Sequence, residues 1–273
     1  TIGSDFDFSK NLTMIRLGEK DSYQPTTHFD LFSFIGYLPD MWQYLKNDDH
    51  EIQTFEQIYD GPRLEARYLD MPYVDPNNSN LGNGGAVTTT VISIADGDTA
   101  TFAQSGGFPG GNSMRYYYIN TPEVNGSYVV AEPWGYVASK YNKEYILKNS
   151  SSKLIQVQSI PGIALREVNG RNLGLVWING HLSQFLTVRE GLSDDVSPTY
   201  EAYDYLLTYK NVPILTFLRF AENEAKKNGW GTKGFPGNPD GEKSPDWNYQ
   251  ANNGAGKNST ENPVWEPHLP MPW

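Results

Sequence analysis

Five charged side chains in the middle of the chain have the types and spacing that phosphodiester chemistry requires. Asp96 and Asp98 lie on one tight turn, Arg115 and Glu123 follow roughly twenty residues later, and Arg171 sits in a later Asn-Gly-Arg segment. One carboxylate suits a hard cation, two guanidinium groups suit phosphate oxygens, and a further carboxylate can position or deprotonate water. Together they predict stabilisation of a crowded, phosphorane-like state during hydrolysis.

Each of these residues also has an ordinary structural explanation. An Asp-Gly-Asp segment is common in hairpin turns. Arg115 and Glu123 could form a surface salt bridge, and Arg171 could simply project from the start of a strand. Taken one at a time, the residues leave both explanations open.

Composition sets the outer limits on fold and chemistry. The 273 residues are 38% hydrophobic and 14% aromatic, which is enough apolar surface for a real core. The sequence has no cysteine, so disulfides, thiol catalysis and cysteine-based zinc sites are excluded. We expect no membrane-spanning segment, because no run of about 18 apolar residues occurs. The four histidines are scattered without metal-ligand spacing.

Charge is distributed unevenly along the chain. The net charge of −11 argues against a polyanionic partner when the chain is taken as a whole. However, residues 1–85 carry −8 of it, whereas residues 86–231 carry −1 and residues 232–273 carry −2. A phosphate-binding site in the middle region therefore remains compatible with the charge.

Residues 86–231 have the clearest pattern of secondary structure. Helical spacing predicts a helix over 133–148, a short helix ends near Gly191, and a last long helix runs between Pro213 and Gly229. Strands and helices in this order favour an α+β fold with a mostly β core, built on a five-stranded OB-type barrel with packed helices. The predicted strands are residues 86–95, 99–104, 114–120, 153–159 and 173–178.

Two extensions flank this predicted domain. Residues 1–85 form an acidic, aromatic-rich N-terminal extension or small subdomain, whose aromatic side chains are explained more simply by core packing than by a ligand cage. Residues 232–273 form a tail rich in Gly, Pro, Asn and Trp without periodicity. We expect the tail to dock on this protein or on a neighbouring subunit, anchored by Trp247, Trp265 and Trp273.

Six sequence blocks within residues 91–230 resemble the thermonuclease family, the staphylococcal-nuclease-like OB-fold nucleases. In chain order they read DGDT, R-x-x-x-I-x-T-P-E, P-W-G-x-x-A-S, N-G-R-x-L-G, V-R-E-G-L and A-E-x-E-A-K-K-N-G-W. One block alone would be weak, but six in the right order over roughly half the chain are specific for a fold.

The resemblance implies a calcium-dependent nuclease that acts on single-stranded DNA or RNA with little sequence preference. Asp96 would support the turn. The residues implied to contact the scissile phosphate or the attacking water are Arg115, Arg171 and Glu123. The residues implied to bind calcium are Asp98, Asn120 and Thr121, the last through its carbonyl.

Three features depart from the family pattern. Asn120 replaces a second calcium-binding aspartate, which keeps an oxygen ligand but loses a negative charge and should weaken calcium binding. Val168-Asn169 replaces a Lys-Tyr pair and so removes a cation and an aromatic platform that would grip the substrate. The stretch before the last helix is longer than usual, so the family's substrate-facing tyrosines have no assigned counterparts.

Three functions are consistent with these observations. The leading one is a calcium-dependent phosphodiesterase (nuclease) cutting DNA or RNA. The alternative is a structural component of a larger assembly, such as a virion, tail or surface complex, in which catalysis is weakened or lost. The third is a module that binds single-stranded nucleic acid without cutting it. The extensions slightly favour an extracellular or virion-associated location, although the compartment is otherwise open.

Overall fold

A computed structural model describes residues 61–75, 77, 80–124, 131–196, 206–233 and 263–273 of the chain. One structural unit comprises Gly61–Tyr209 with Pro213–Trp273, and the other comprises Thr1–Asp60 with Lys210–Val212. The first sixty residues and Trp247 lie outside the described residues. The division of the chain at residues 85 and 231 stays a prediction.

The described residues contain eleven strands and four α-helices. The strands are β1 (Ala86–Thr89), β2 (Val91–Ile94), β3 (Thr99–Phe102), β4 (Ser113–Tyr116), β5 (Ile119–Asn120), β6 (Ile155–Gln158), β7 (Asn172–Ile178), β8 (His181–Leu182), β9 (Asp195–Val196), β10 (Thr208–Tyr209) and β11 (Val212–Pro213). The α-helices are α1 (Ala66–Leu69), α2 (Gly135–Tyr141), α3 (Ser183–Arg189) and α4 (Ile214–Asn228). None of these described helices is long and apolar enough to cross a lipid bilayer.

Seven of the described strands form the main sheet. Its order is β1-β6-β7-β4-β3-β2, and β8 folds back onto the end of β7. The β4–β7 pair is parallel and the other pairs are antiparallel. Thr90 alone separates β1 from β2 in sequence, although these strands lie at opposite ends of the pairing path. The parallel pair brings the start of β7 beside β4, which positions two parts of the site described below.

Strand β7 and two helices form the centre of the core. From Leu175 to Ile178 the strand is buried on both faces. Helix α3 packs against both β7 and α4. Helix α4 begins after Pro213, ends before Gly229, and buries residues at helical spacing along one face. Those buried residues are Ile214, Leu215, Phe217, Leu218, Ala221 and Ala225.

The elements predicted within residues 86–231 are confirmed with shifted boundaries. The single predicted strand at 86–95 is interrupted at Thr90, because β1 pairs with β6 whereas β2 pairs with β3. The predicted strand at 114–120 divides into β4 and β5, since Tyr118 adopts a positive φ of 74°. The predicted helix at 133–148 consists of α2 followed by a π-helical segment, Asn142–Ile146.

The fold class is confirmed in its coarser form, a mixed α+β architecture with a mostly β core. The five-stranded OB-type barrel is not confirmed, because the pairing path of the described strands is open, with β1 at one end and β2 at the other. The count of five strands needs correction within the described residues. The break at Thr90 divides one predicted strand into two, and β8 adds a short strand after a turn with positive φ at Asn179 and Gly180.

Residues 263–273, here called the C-terminal strap, contact α2 and the end of α3. Glu190 is fully buried, and its carboxylate accepts hydrogen bonds from the backbone N–H groups of His268 and Leu269, both at 2.9 Å. The His268 Nδ1 atom lies 3.0 Å from the same carboxylate. Trp265 is buried and makes edge contacts with two tyrosine rings of the α2 region. A buried carboxylate requires such partners, so the strap supplies the donors that Glu190 needs.

Candidate active site

The turn between β2 and β3 holds two carboxylates against helix α2. The Asp98 N–H donates to Asp96 Oδ1 at 3.1 Å, which closes the turn locally. A Cβ atom on Gly97 would lie 2.8 Å from both the Ala138 Cβ and the Thr121 Oγ1. Glycine is therefore needed for the turn to approach the helix this closely.

Asp98 is the most firmly held side chain of the site. Its Oδ1 accepts a hydrogen bond from Thr99 Oγ1 at 3.1 Å, and its Oδ2 accepts one from the Thr121 N–H at 2.7 Å. The same oxygen forms an ion pair with Arg115. Since only 4% of Asp98 is exposed, these partners offset the loss of hydration and determine where the carboxylate points.

Arg115 links Asp98 to Asn120. Its Nη2 donates to Asn120 Oδ1 at 2.7 Å, while its other terminal nitrogen pairs with Asp98. Asn120 lies on β5, and its own N–H donates to Ser193 Oγ at 3.0 Å. The side-chain oxygens of Asp98 and Asn120 therefore converge on one cationic group.

Glu123 is an exposed residue, and two hydrogen bonds from and to Glu132, here called the Glu132 clasp, hold its backbone. The Glu123 N–H donates to Glu132 Oε2 at 2.9 Å, and the Glu132 N–H donates to the Glu123 carbonyl at 2.9 Å. Partial burial raises the pKa of Glu123 above its ordinary value, and the negative charge of Asp98 raises it further. Arg115 acts in the opposite direction. The carboxyl group is therefore a better proton acceptor than an ordinary glutamate.

Arg171 enters the site from the start of β7 and is held by Glu167. Its Nε donates to Glu167 Oε1 at 3.0 Å, and this hydrogen bond raises the pKa of Arg171. Burial would raise the pKa of Glu167, but hydrogen bonds led by that from Arg171 outweigh burial and lower it. Asp98 and Asp96 also act electrostatically on Arg171, in agreement with the parallel pairing of β4 with β7.

Direct contacts thus join Asp98 to Asp96, Arg115 and Thr121, and Arg115 to Asn120. Glu123 and Arg171 are linked to this group by the electrostatic effect of Asp98. Burial, followed by the charge of Asp98, raises the pKa of Asp96 from 3.8 to about 6, and Glu123 adds to the rise. The group as a whole combines closely spaced negative charges with two guanidinium cations. Its members are Asp96, Asp98, Arg115, Asn120, Thr121, Glu123 and Arg171.

The chain is similar to two endonucleases of Bacillus subtilis. It is 32% identical over 160 residues to the SPbeta prophage-derived endonuclease YokF, and this alignment covers 55% of this chain and 48% of YokF. It is 30% identical over 152 residues to endonuclease YncB, and this alignment covers 55% of this chain and 64% of YncB. The similarity supports a nuclease family. It does not single out the staphylococcal-nuclease-like one, and no protein-family model matches the chain.

These alignments cover only part of every protein involved. The chain spans about half the length of YokF and less than two thirds of YncB. What the relatives' names say about activity therefore applies to those proteins, and its extension to this chain is a proposal.

Two supporting residues were not predicted from the sequence. Glu132 had no recognisable signal, because its role depends on the backbone of Glu123 nine residues away. Glu167 lies four residues before Arg171, but that spacing indicates a pair only on a helix, and here it closes a turn. At the family's Lys-Tyr positions, Val168 is fully exposed and Asn169 donates to Glu167 at 2.9 Å.

The oxygen atoms of this site suit a hard cation in type. Asp98 offers a carboxylate, Asn120 an amide oxygen and Thr121 a carbonyl, which are ligands that calcium accepts. The Asp98 and Asn120 oxygens already face a cation, the Arg115 guanidinium. Among the described residues, however, no group of three or more His, Cys, Asp or Glu side chains is arranged to hold a metal ion. A calcium site here would thus depend on amide and carbonyl oxygens beside one carboxylate.

Proposed function

We propose that this protein is a calcium-dependent endonuclease of the staphylococcal-nuclease-like type, which hydrolyses phosphodiester bonds in DNA or RNA with little sequence preference. The observation that carries the proposal is the convergence of Asp98, Arg115 and Asn120 through direct contacts. Glu123 and Arg171 are coupled electrostatically to the same carboxylate. The similarity to two endonucleases supports the same reaction class.

The order of strands supports an OB-type barrel beneath this site. Residues 86–94 form one nearly continuous stretch that pairs with β6 in its first half and with β3 in its second half. A barrel closes when its first strand pairs with both edges of the sheet in this way. If β1 and β2 count as one strand and β8 as a hairpin return, five strands remain.

The two arginines would bind the scissile phosphate. Guanidinium groups donate paired hydrogen bonds to phosphate oxygens and stabilise the charge that builds up during attack. Among the described residues, the ion pair of Arg171 with Glu167 uses Nε, so the terminal nitrogens of Arg171 are available for a phosphate. Arg115 would exchange part of its contact with Asp98 and Asn120 for the phosphate oxygens.

Glu123 would act as the general base. It would accept a proton from a water molecule while the water oxygen bonds to phosphorus and the bond from phosphorus to the leaving oxygen breaks. The leaving oxygen would take a proton from solvent. The raised pKa of Glu123 makes it more basic, and the Glu132 clasp holds its backbone in place for this transfer.

Asp98, Asn120 and the Thr121 carbonyl would hold calcium. When bound, calcium supplies positive charge beside the phosphate and orients water. Because Asn120 contributes an oxygen without a charge, we expect weaker calcium binding than with two aspartates. Asp98 would share its negative charge between the ion and Arg115.

The decisive experiment is cleavage of labelled single-stranded DNA and RNA in millimolar calcium and in chelator. Glu123→Gln and Arg115→Ala should each reduce cutting by about a hundredfold or more, because they remove the base and a phosphate ligand. Glu224→Gln and Arg219→Ala, matched changes on α4, should cut like the parent. A parent protein that leaves both substrates intact in calcium would refute the proposal. If Asn120→Asp also failed to restore cutting, the structural alternative would be favoured.

A further inference from the structure

A cleft of about 350 Å³ opens beside the candidate active site, on the exposed side of α2. It adjoins the site through the chain itself, since one wall residue directly precedes Asp96 and another directly follows Glu123. Its volume lies at the lower end of ligand pockets, which run from roughly 300 to 1,000 Å³. The wall residues used below are Ala95, Val124, Tyr136, Lys140, Lys143 and Glu144.

We propose that this cleft binds the single-stranded nucleic acid that continues from the scissile phosphate, with Lys143 and Lys140 facing backbone phosphates and the Tyr136 ring stacking on a base. The proposal rests on the proposed nuclease function and identifies a second contact region for its substrate. It also supplies a cation and an aromatic ring at a place other than Val168-Asn169, where the family's grip is missing.

The charge of the cleft favours a polyanion. Its described titratable groups are two lysines, one tyrosine and one carboxylate, Glu144, in a protein whose net charge is −11. Lys140 Nζ donates to the Pro263 carbonyl of the C-terminal strap at 2.8 Å, which fixes the ammonium group without neutralising it. Lys143 is exposed, and no salt bridge to it occurs within the described residues. A cation that is fixed and a cation that is free to adjust suit successive phosphates of a flexible strand.

The packing of α2 fixes the cleft relative to the carboxylates. Gly97 of the turn lies against Ala138 of α2, and Gly135 at the start of α2 lies against the Glu123 carbonyl. Helix α2 carries Lys140 and continues into the π-helical segment that carries Lys143, and it is in direct contact with both acidic parts of the site. A strand bound at the scissile position would therefore run toward Ala95 and Val124, the wall residues that adjoin Asp96 and Glu123 in sequence. Basic grooves combined with aromatic stacking are the usual means of holding single strands.

The test compares cleavage of a dinucleotide, which contains one phosphodiester, with cleavage of an oligonucleotide of about sixteen residues. Lys143→Glu should lower kcat/KM for the long substrate by about tenfold, through KM, and leave the dinucleotide within about twofold. Tyr136→Ala should lower it by about fivefold to a hundredfold, as expected for one lost stacking contact. Lys227→Glu, the same charge change on the exposed face of α4, is the control and should leave both substrates unchanged.

Salt dependence provides a second measurement. Binding of the long oligonucleotide to Glu123→Gln protein should weaken with salt, and adding Lys143→Glu should reduce the slope of log affinity against log salt by about 0.7. Lys143 and Tyr136 variants that match Lys227→Glu on the long substrate would overturn this inference while leaving the nuclease proposal intact. A parent that neither binds nor cuts either substrate would overturn both.

Discussion

Gly135→Ala should disable the candidate site without changing any group that performs chemistry. A Cβ atom at position 135 would lie 2.1 Å from the carbonyl oxygen of Glu123 and 2.8 Å from its carbonyl carbon. Both atoms belong to the backbone, so rotation of a side chain cannot relieve this clash. Gly135 begins α2 without a positive φ, so the substitution adds a steric clash and no backbone strain.

The size of the effect follows from the displacement that the clash requires. Non-bonded carbon and oxygen atoms approach to about 3.2 Å, so Glu123 and α2 must separate by about 1 Å. The clasp between Glu123 and Glu132 adjoins this contact, because the Gly135 N–H donates to the Glu132 carbonyl at 3.0 Å. A shift of 1 Å in a catalytic group costs about a hundredfold in rate. The free energy of unfolding should fall by about 1–3 kcal/mol, as for other overpacked sites.

Single-turnover cleavage of labelled single-stranded DNA in calcium measures this effect, with thermal unfolding recorded beside it. Gly107→Ala is the matched control, since its Cβ would lie 3.2 Å from a Val74 methyl group that can yield. The double variant Glu123→Gln with Gly135→Ala should be no slower than Glu123→Gln alone, because both changes remove the same base. Gly135→Ala protein that cuts as fast as the parent would refute the geometric role given to Glu123.

Three further predictions concern charge. In chelator, Asp96→Asn should raise the free energy of unfolding at pH 7 by about 1–3 kcal/mol, because the folded protein holds this carboxyl with a pKa raised to about 6. The protonated form is favoured in the folded state, so this gain in stability should shrink as the pH falls through 6 and vanish below about 4. Urea unfolding measures it, and a gain that persists below about pH 4 would contradict the assignment to the raised pKa of Asp96. Glu190→Gln should lower the free energy of unfolding by about 2–4 kcal/mol. Both carboxylate oxygens of Glu190 accept a hydrogen bond from a strap N–H, whereas the amide has one oxygen and would place its NH2 group against the other N–H. Unchanged stability, and unchanged protease resistance of the strap, would argue against docking through Glu190. Asn120→Asp should tighten calcium binding by about tenfold or more in titration calorimetry, and equal affinities would exclude Asn120 as a ligand.

Much of the main sheet and the site's chemistry could be predicted from local pattern. Some signals depend only on neighbouring residues and can therefore be recognised from the sequence alone. They are the runs of β-branched residues, the Asp-Gly turns, and the helix boundaries at Pro213 and Gly229. The strand break at Thr90 was not readable, because it arises from pairing with two different partners. The division of β4 from β5 likewise depends on the positive φ of Tyr118, and a tyrosine in the sequence does not indicate a positive φ.

The sequence by itself determined which functional groups are available: the paired aspartates of one turn, the two arginines, Glu123 and Asn120. Tertiary structure alone decided how they are held, because their supports come from distant parts of the chain. Ser193 holds the Asn120 backbone across 73 residues, and the strap satisfies Glu190 across 78. Such partners are chosen by the need to satisfy buried polar groups once the chain is folded, and that need has no local sequence pattern.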